Sequence, residues 1–286
     1  MEVDIKEITQ SDNKWLKRLN LSRVKIERLW YRGEWKSELF ERCVAIVGSR
    51  RMSRYGKQVI AEVVPRLSLA GYTIVSGLMY GIDQEAHRVA LANGGKCIGV
   101  LGWGIDYDCE EGAVKLVQQI VERGGVVMSE YAPGAKSQRW MFLARNRIVA
   151  ALAEMVIIVE AAEKSGTMST AKWAKKLGKK IYAAPGSMFS DTSSGANELI
   201  ASGEAILLTM KEVSMWCNDS AKVVIPSHKL GKHSEITTIL KIEGPLSVNE
   251  LSRKTKKQAG EILAELMTLS MVGLVEEERG VWKVSS

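Results

Sequence analysis

No run of this chain is apolar for long enough to cross a bilayer. Met1–Gln10 alternates charged and apolar residues instead of building an apolar stretch, so neither a membrane span nor a signal peptide is expected. Cysteine is scarce. Cys43, Cys97, Cys109 and Cys217 stand apart with no C-x-x-C pair, which argues against a zinc site and against a disulfide framework. Cys43 and Cys97 fall at or inside apolar runs, where cysteine behaves as a small hydrophobe. The expectation is a cytoplasmic protein with reduced thiols. Histidine is limited to His87, His228 and His233, and nothing reads as a nucleophile elbow, a Walker loop or metal-ligand spacing. No catalytic residue, metal or cofactor is therefore expected, and His87 reads as a residue that caps or pairs locally.

Charge of one sign is in mild excess. The formal net charge is +7, which suits a polyanionic partner as well as a merely soluble basic protein. Its distribution is more informative. Residues 44–227 hold 21 Lys+Arg against 17 Asp+Glu, whereas residues 228–286 hold 9 against 8, so a polyanion site belongs first to the central region.

Residues 1–42 are polar and basic with scattered apolar anchors, including Leu16, Ile26, Leu29 and Trp30, and read as a short helical or irregular lead-in. From Cys43 the pattern changes to short apolar runs: Cys43–Val47, Tyr72–Ser76, Cys97–Leu101, Val126–Ser129, Met155–Glu160, Ile181–Ala184 and Ala205–Leu208. Most are separated by ten or more residues with helical spacing, such as Val59/Val63/Leu67. Short buried strands alternating with helices imply right-handed β-α-β units and a largely parallel sheet covered on both faces. The fold class expected for residues 43–217 is therefore α/β, a Rossmann-like doubly wound sheet. Residues 218–232 read as a linker. Residues 233–286 give three helical stretches and a hairpin across Glu278–Arg279–Gly280, with capping-box spacing from Ser247 to Glu250. This is the pattern of a small C-terminal winged-helix domain.

In an open parallel sheet, ligands bind beyond the carboxyl ends of the strands. The first such loop, Gly48-Ser49-Arg50-Arg51-Met52-Ser53-Arg54, sets small residues beside three arginines. Small residues let backbone amides approach a phosphate, and arginine fits one with a bidentate fork. A dinucleotide site would need G-x-G-x-x-G here and an acidic end to the second strand, and both are missing. The second loop runs from Ser76-Gly77 to Asp83, a candidate N-cap. The third places Trp103 among glycines, either to stack on a base or to pack. The richest segment is Arg139 to Arg147. It interleaves Arg139, Arg145, Asn146 and Arg147 with Trp140 and Phe142, combining cations for a backbone with planar groups for bases. Arg145 and Arg147 are too close in sequence to share one helical face. Ser165, Gly166 and Thr167 would open a further helix and offer amides and hydroxyls to an anion.

These segments, in this order, resemble the DprA/Smf family of DNA-processing proteins. The resemblance rests on Ala45-Ile46-Val47-Gly48-Ser49-Arg50, Ser76-Gly77 with Gly81-Ile82-Asp83, Leu101-Gly102 with Gly104-Ile105-Asp106, and Ser129-Glu130-Tyr131 with Pro133-Gly134. It continues through Arg145-Asn146-Arg147-Ile148, Val159-Glu160-Ala161 with Ser165-Gly166-Thr167, and Pro185-Gly186-Ser187. It implies a homodimeric single-stranded DNA-binding protein that protects incoming DNA during natural transformation and loads the RecA recombinase. By the same resemblance Arg50, Arg145 and Arg147 grip phosphates, and Phe142 lies near the bases. Ser49, Gly77 and Ser165–Thr167 line the groove, with Gly48, Arg54 and Asn146 alongside. The chain departs from the family at Tyr107-Asp108-Cys109-Glu110-Glu111-Gly112 and has no evident helix-hairpin-helix region ahead of the sheet.

Two other readings compete. The fold also resembles the LOG nucleotide hydrolases, but Thr170 stands where their catalytic glutamate falls, and a threonine cannot serve as a carboxylate acid or base. A winged-helix regulator of duplex DNA would use Arg253, Lys254, Lys256 and Lys257 before the third helix, yet the tail is nearly neutral.

Overall fold

The computed structural model describes residues 4–9, 16, 24–107, 112–220, 235–255, 257, 259–271, 274–278 and 280–284. Of the residues read as a linker, 218–220 are helical, and 221–232 lie outside the described residues, as do Asp108, Cys109, Glu110, Glu111, His233, Lys256 and Arg279. The chain divides into two compact units, Met1–Ser214 and Met215–Ser286.

The seven apolar runs become β3 (Cys43–Val47), β4 (Thr73–Ser76), β5 (Lys96–Leu101), β6 (Val126–Ser129), β7 (Met155–Ile158), β8 (Lys180–Ala183) and β9 (Ile206–Leu207). Between them run α1 (Arg54–Leu69), α2 (Ile82–Ala92), α3 (Ala113–Glu122), α4 (Arg139–Leu152), α5 (Thr167–Lys176) and α6 (Asp191–Ala201), and α7 (Met210–Ser220) follows β9. These seven strands pair in parallel in the order β6-β5-β4-β3-β7-β8-β9. Every residue of β3, β4, β6 and β7 is buried, as a sheet covered on both faces requires. Period-two alternation divides their side chains. Ala45 and Val47 of β3, with Val156 and Ile158 of β7, join a core that includes Ile148–Leu152, Ala171 and Ala174 from α4 and α5.

The N-terminal lead-in differs from expectation. Instead of a helix, β1 (Lys6–Thr9) and β2 (Arg28–Gly33) extend the same sheet, β2 pairing antiparallel with β6 and β1 with β2. Ile26, Leu29 and Trp30 have helix-like spacing, but the open edge of β6 offers β2 a full ladder of backbone hydrogen bonds. Tertiary pairing therefore overrides the local pattern.

In the second unit, α8 (Glu235–Glu243), α9 (Val248–Thr255) and α10 (Ala259–Met271) precede an antiparallel pair, β10 (Val275–Glu278) and β11 (Val281–Val284). Ile236, Leu240, Leu251, Ile262, Leu266, Leu269, Val275 and Trp282 form its core. Leu246 bridges Trp282 and so ties the segment before α9 to the hairpin. The capping box at α9 is formed: the Glu250 backbone N–H donates to Ser247 Oγ (3.4 Å) and the Ser247 backbone N–H to Glu250 Oε2 (2.7 Å).

Candidate functional site

The winding reverses at β3. From it the chain proceeds outward through β4, β5 and β6, then returns by α4 to place β7 on the other side. At such a switch point the loops beyond neighbouring strands separate and leave a crevice. Here the crevice is a cleft of about 600 Å³, walled by the loops after β3, β4 and β7, by α4 from Arg139 to Val149 and by the start of α5.

Loop geometry is fixed by contacts between distant segments. Ser53 caps α1, its Oγ accepting from the Gly56 backbone N–H (3.1 Å). Its own N–H and hydroxyl donate to the two oxygens of the buried Glu160 carboxylate, at 3.0 and 2.5 Å. The loop after β3 is thus tied to the end of β7. Thr167 Oγ1 donates to the Gly48 carbonyl (3.0 Å), joining the start of α5 to the same loop. After β4 the chain turns through Leu78, a non-glycine residue at φ +59° whose side chain is fully buried. A turn of that kind stores backbone strain where the walls must converge. Gly81 follows at φ +77°, where an added Cβ would lie 2.4 Å from the Ser49 carbonyl oxygen, so only glycine fits.

Ten of the twelve anticipated binding residues meet on this cleft: Gly48, Ser49, Arg50, Gly77, Phe142, Arg145, Asn146, Ser165, Gly166 and Thr167. Arg51 and Arg139 join them, both exposed. The wall therefore carries four arginines against one carboxylate, Asp83. Phe142 lies partly exposed between Arg50, whose guanidinium carbon is 5.3 Å from the ring centroid, and Trp103, whose ring centroid is 6.0 Å away. Trp103 itself is buried, its backbone carbonyl accepting from Ser129 Oγ, so of the two roles open to it the structure selects packing.

Two anticipated residues lie elsewhere. Arg54 is the first residue of α1, exposed and off the cleft wall. Arg147 emerges two residues after Arg145, about 200° around the helix. It forms a bidentate pair with Glu130 (2.6 and 2.5 Å) and donates to the Lys25 carbonyl (3.2 Å). That pairing fastens the N-terminal segment to the β6 end of the sheet, and Glu130 holds the guanidinium's pKa above its usual value.

Arg145 lines the cleft but is only 2% exposed. Its Nη1 donates to the carbonyls of Gly77 (2.6 Å) and Val100, and its Nε to Asn146 Oδ1 (3.3 Å). A Cβ on Gly77 would sit 2.4 Å from the guanidinium, so the glycine makes room for this side chain. Asp83 is not the N-cap of α2, a place held by Gly81. Its buried carboxylate instead accepts from the Gly77 N–H (3.2 Å). Burial pushes its pKa up to about 6, opposed by the Arg145 charge and by local hydrogen bonds. His87 caps no helix end, and the nearby Ser76 backbone only partly opposes its burial. Both ring nitrogens are buried without a hydrogen-bond partner among the described residues, and burial pushes its pKa down to about 4. Among the described residues no group of three or more His, Cys, Asp or Glu is placed to hold a metal ion.

Sequence reasoning had no role for Glu160, because its partner Ser53 is 107 residues away. Arg51 and Arg139 were visible as basic residues inside the right segments, yet only the fold shows that they face the cleft. In the second unit, Lys254 pairs with Glu243 (2.6 Å) and Lys257 with Glu265 (3.0 Å), which neutralises much of the charge ahead of α10.

Comparison with known proteins gives a consistent result. The sequence profile of the family described as DNA recombination-mediator protein A matches residues 6–217. The DNA processing protein DprA of Streptococcus pneumoniae is 38% identical over 185 residues, 65% of this chain and 64% of that one. The crystal structure of the Streptococcus pneumoniae protein superposes with a TM-score of 0.67 at 35% identity, covering 74% of each chain. DNA processing protein A of Helicobacter pylori, a protein with a single-stranded DNA binding mode, superposes with a TM-score of 0.67 at 29% identity. That match covers 77% of this chain and 97% of the other.

Proposed function

Because this chain belongs to the DNA recombination-mediator protein A family, we propose that it binds single-stranded DNA in the cleft at the sheet's switch point and leaves the strand chemically unchanged. The observation that carries this reading is the composition of the cleft wall. Exposed Arg50, Arg51 and Arg139 surround a partly exposed aromatic ring, Phe142, with a single, buried carboxylate opposing them. Cations track a phosphate backbone, while the exposed part of an aromatic ring can meet an unstacked base of any sequence. The Ser49 hydroxyl adds a neutral polar group along the same wall. Thr170 on that wall supplies no acid or base, which favours binding over nucleotide hydrolysis.

Protection of incoming DNA and loading of RecA, by a homodimer in the cytoplasm, extend this reading in line with the family. The second unit reads as a winged-helix domain, and its internally paired lysines favour a protein contact over duplex readout.

The test is fluorescence anisotropy with labelled oligo(dT), comparing wild type with Arg50→Ala/Arg139→Ala across a salt series. Each phosphate contact on a single strand contributes about 0.7 to the slope of log K against log salt. Loss of two contacts should therefore flatten the slope by about 1.4 and weaken binding about 25-fold at ~0.1 M salt. A wild-type preference for duplex, or a double variant indistinguishable from wild type, would overturn the proposal.

A further inference from the structure

Beside the cleft, α5 presents a second groove of about 480 Å³, walled by Ser165, Met168, Ser169, Lys172, Trp173 and Lys176, with Glu163 and Lys164 at its N-terminal end. Positions 169, 172, 173 and 176 follow helical spacing, so they form one continuous stripe along the helix. Trp173 is half-buried, packed against the hydrophobic core, and Lys176 Nζ lies 4.6 Å from its ring centroid.

The charges along this stripe are not balanced internally. Lys164, Lys172 and Lys176 are exposed, and none forms an ion pair with another described residue. Lys175, off the groove wall, is paired with Glu204 at 2.8 Å. The helix thus neutralises a lysine outside the groove and leaves those within it uncompensated. Lys172 and Lys176 also stand at i, i+4, an arrangement of like charges that disfavours a helix on its own. A polyanion laid along the stripe would supply the missing counter-charge. Among the described residues Glu163 is the only carboxylate on this wall.

Ser165 belongs to both walls, so the groove begins where the cleft ends. We propose that the groove is the exit path of the single strand. A strand leaving the arginine-lined cleft passes Ser165, lays successive phosphates on Lys164, Lys172 and Lys176, and sets a base against Trp173. A single strand suits the site better than a duplex, because its bases are free to leave the stack and meet a ring at the floor of a groove. This assignment rests on the proposed single-stranded DNA binding by the cleft.

The experiment uses the full chain, Lys172→Gln/Lys176→Gln, and two labelled oligo(dT) probes of about 4 and about 16 nucleotides. Both lysines are exposed, and loss of the Lys176–Trp173 contact is offset by relief of the Lys172/Lys176 repulsion, so the variant should keep a urea midpoint close to wild type. The short probe, which fills the cleft alone, should bind variant and wild type equally. The long probe should bind the variant about 25-fold more weakly at ~0.1 M salt, with a salt slope flatter by about 1.4. Equal affinity of variant and wild type for the long probe would overturn the exit path while leaving the cleft intact. Equal weakening of both probes would also overturn it, because the lysines would then act only through the general field of the protein. Failure of wild type to bind either probe would remove the underlying reading instead. In Arg50→Ala/Arg139→Ala both probes should weaken together.

Discussion

Removing the Arg145 guanidinium leaves the Gly77 and Val100 carbonyls without their charged donor and Asp83 without a nearby cation, all at the floor of the cleft. A hydrogen bond from a charged donor contributes about 1.5–3 kcal/mol, so two account for about 3–6 kcal/mol. Part is offset, because the cost of burying the guanidinium disappears and Asp83 can take up a proton. Breaking a buried charge pair from one side typically costs about 3–5 kcal/mol, which we take as the expected loss for Arg145→Ala. That is a large share of the roughly 5–15 kcal/mol that holds a domain folded. The pH dependence is also fixed in sign. The folded-state pKa of Asp83 is already raised to about 6. Without Arg145 it rises further, so ionising Asp83 as pH increases destabilises the variant more than the wild type. Urea unfolding followed by tryptophan fluorescence at pH 6 and pH 8 should show a lower midpoint for Arg145→Ala at both, with the larger drop at pH 8. Arg145→Lys, which keeps the charge but loses the fork, should fall between. A variant that unfolds at the wild-type midpoint yet has lost oligo(dT) binding would refute this account and make Arg145 a direct phosphate ligand.

Two further substitutions separate structural from binding roles. The folded-state pKa of His87 is depressed to about 4 against about 6.5 in an unfolded chain, so its contribution is complete above pH ~6.5 and is lost as pH falls toward 4. Full protonation would cost about 3 kcal/mol. His87→Leu should remove this acid-side loss, so its stability relative to wild type rises between pH 7 and pH 5, as measured by urea midpoints. Parallel midpoints would show that the ring finds a proton acceptor in solution. Arg147→Ala, which severs the mostly buried pair with Glu130, should lower stability by about 2–3 kcal/mol. It should leave oligo(dT) affinity within about twofold, since Arg147 faces away from the cleft; a tenfold loss of affinity with unchanged stability would contradict its placement.

Much of the fold was legible because each strand from β3 to β9 advertises itself locally. Cys43–Val47 is apolar throughout and Val126–Ser129 up to its terminal serine, as strands buried on both faces tend to be, and their boundaries coincide with the runs. β1 and β2 were hidden for the converse reason. A strand near a sheet edge buries few of its residues, only Leu29 in β2, so its pattern resembles an irregular amphipathic segment. The cleft loops could be located because ligand sites in a doubly wound sheet follow from topology, and topology followed from the alternation of strands and helices.

The sequence by itself determined the parallel sheet, its family, and the segments that meet at the switch point, since these depend on local periodicity and on short motifs in order. Only the tertiary structure decided which arginines are available. Arg145 and Arg147 look alike in an Arg-Asn-Arg stretch, but the first is locked beneath Gly77 and the second is held by Glu130, while Arg51 and Arg139 stand free on the wall. A side chain's role depends on what the fold places opposite it. Those partners lie 68 residues away for Arg145 and 17 for Arg147, beyond the reach of any local pattern.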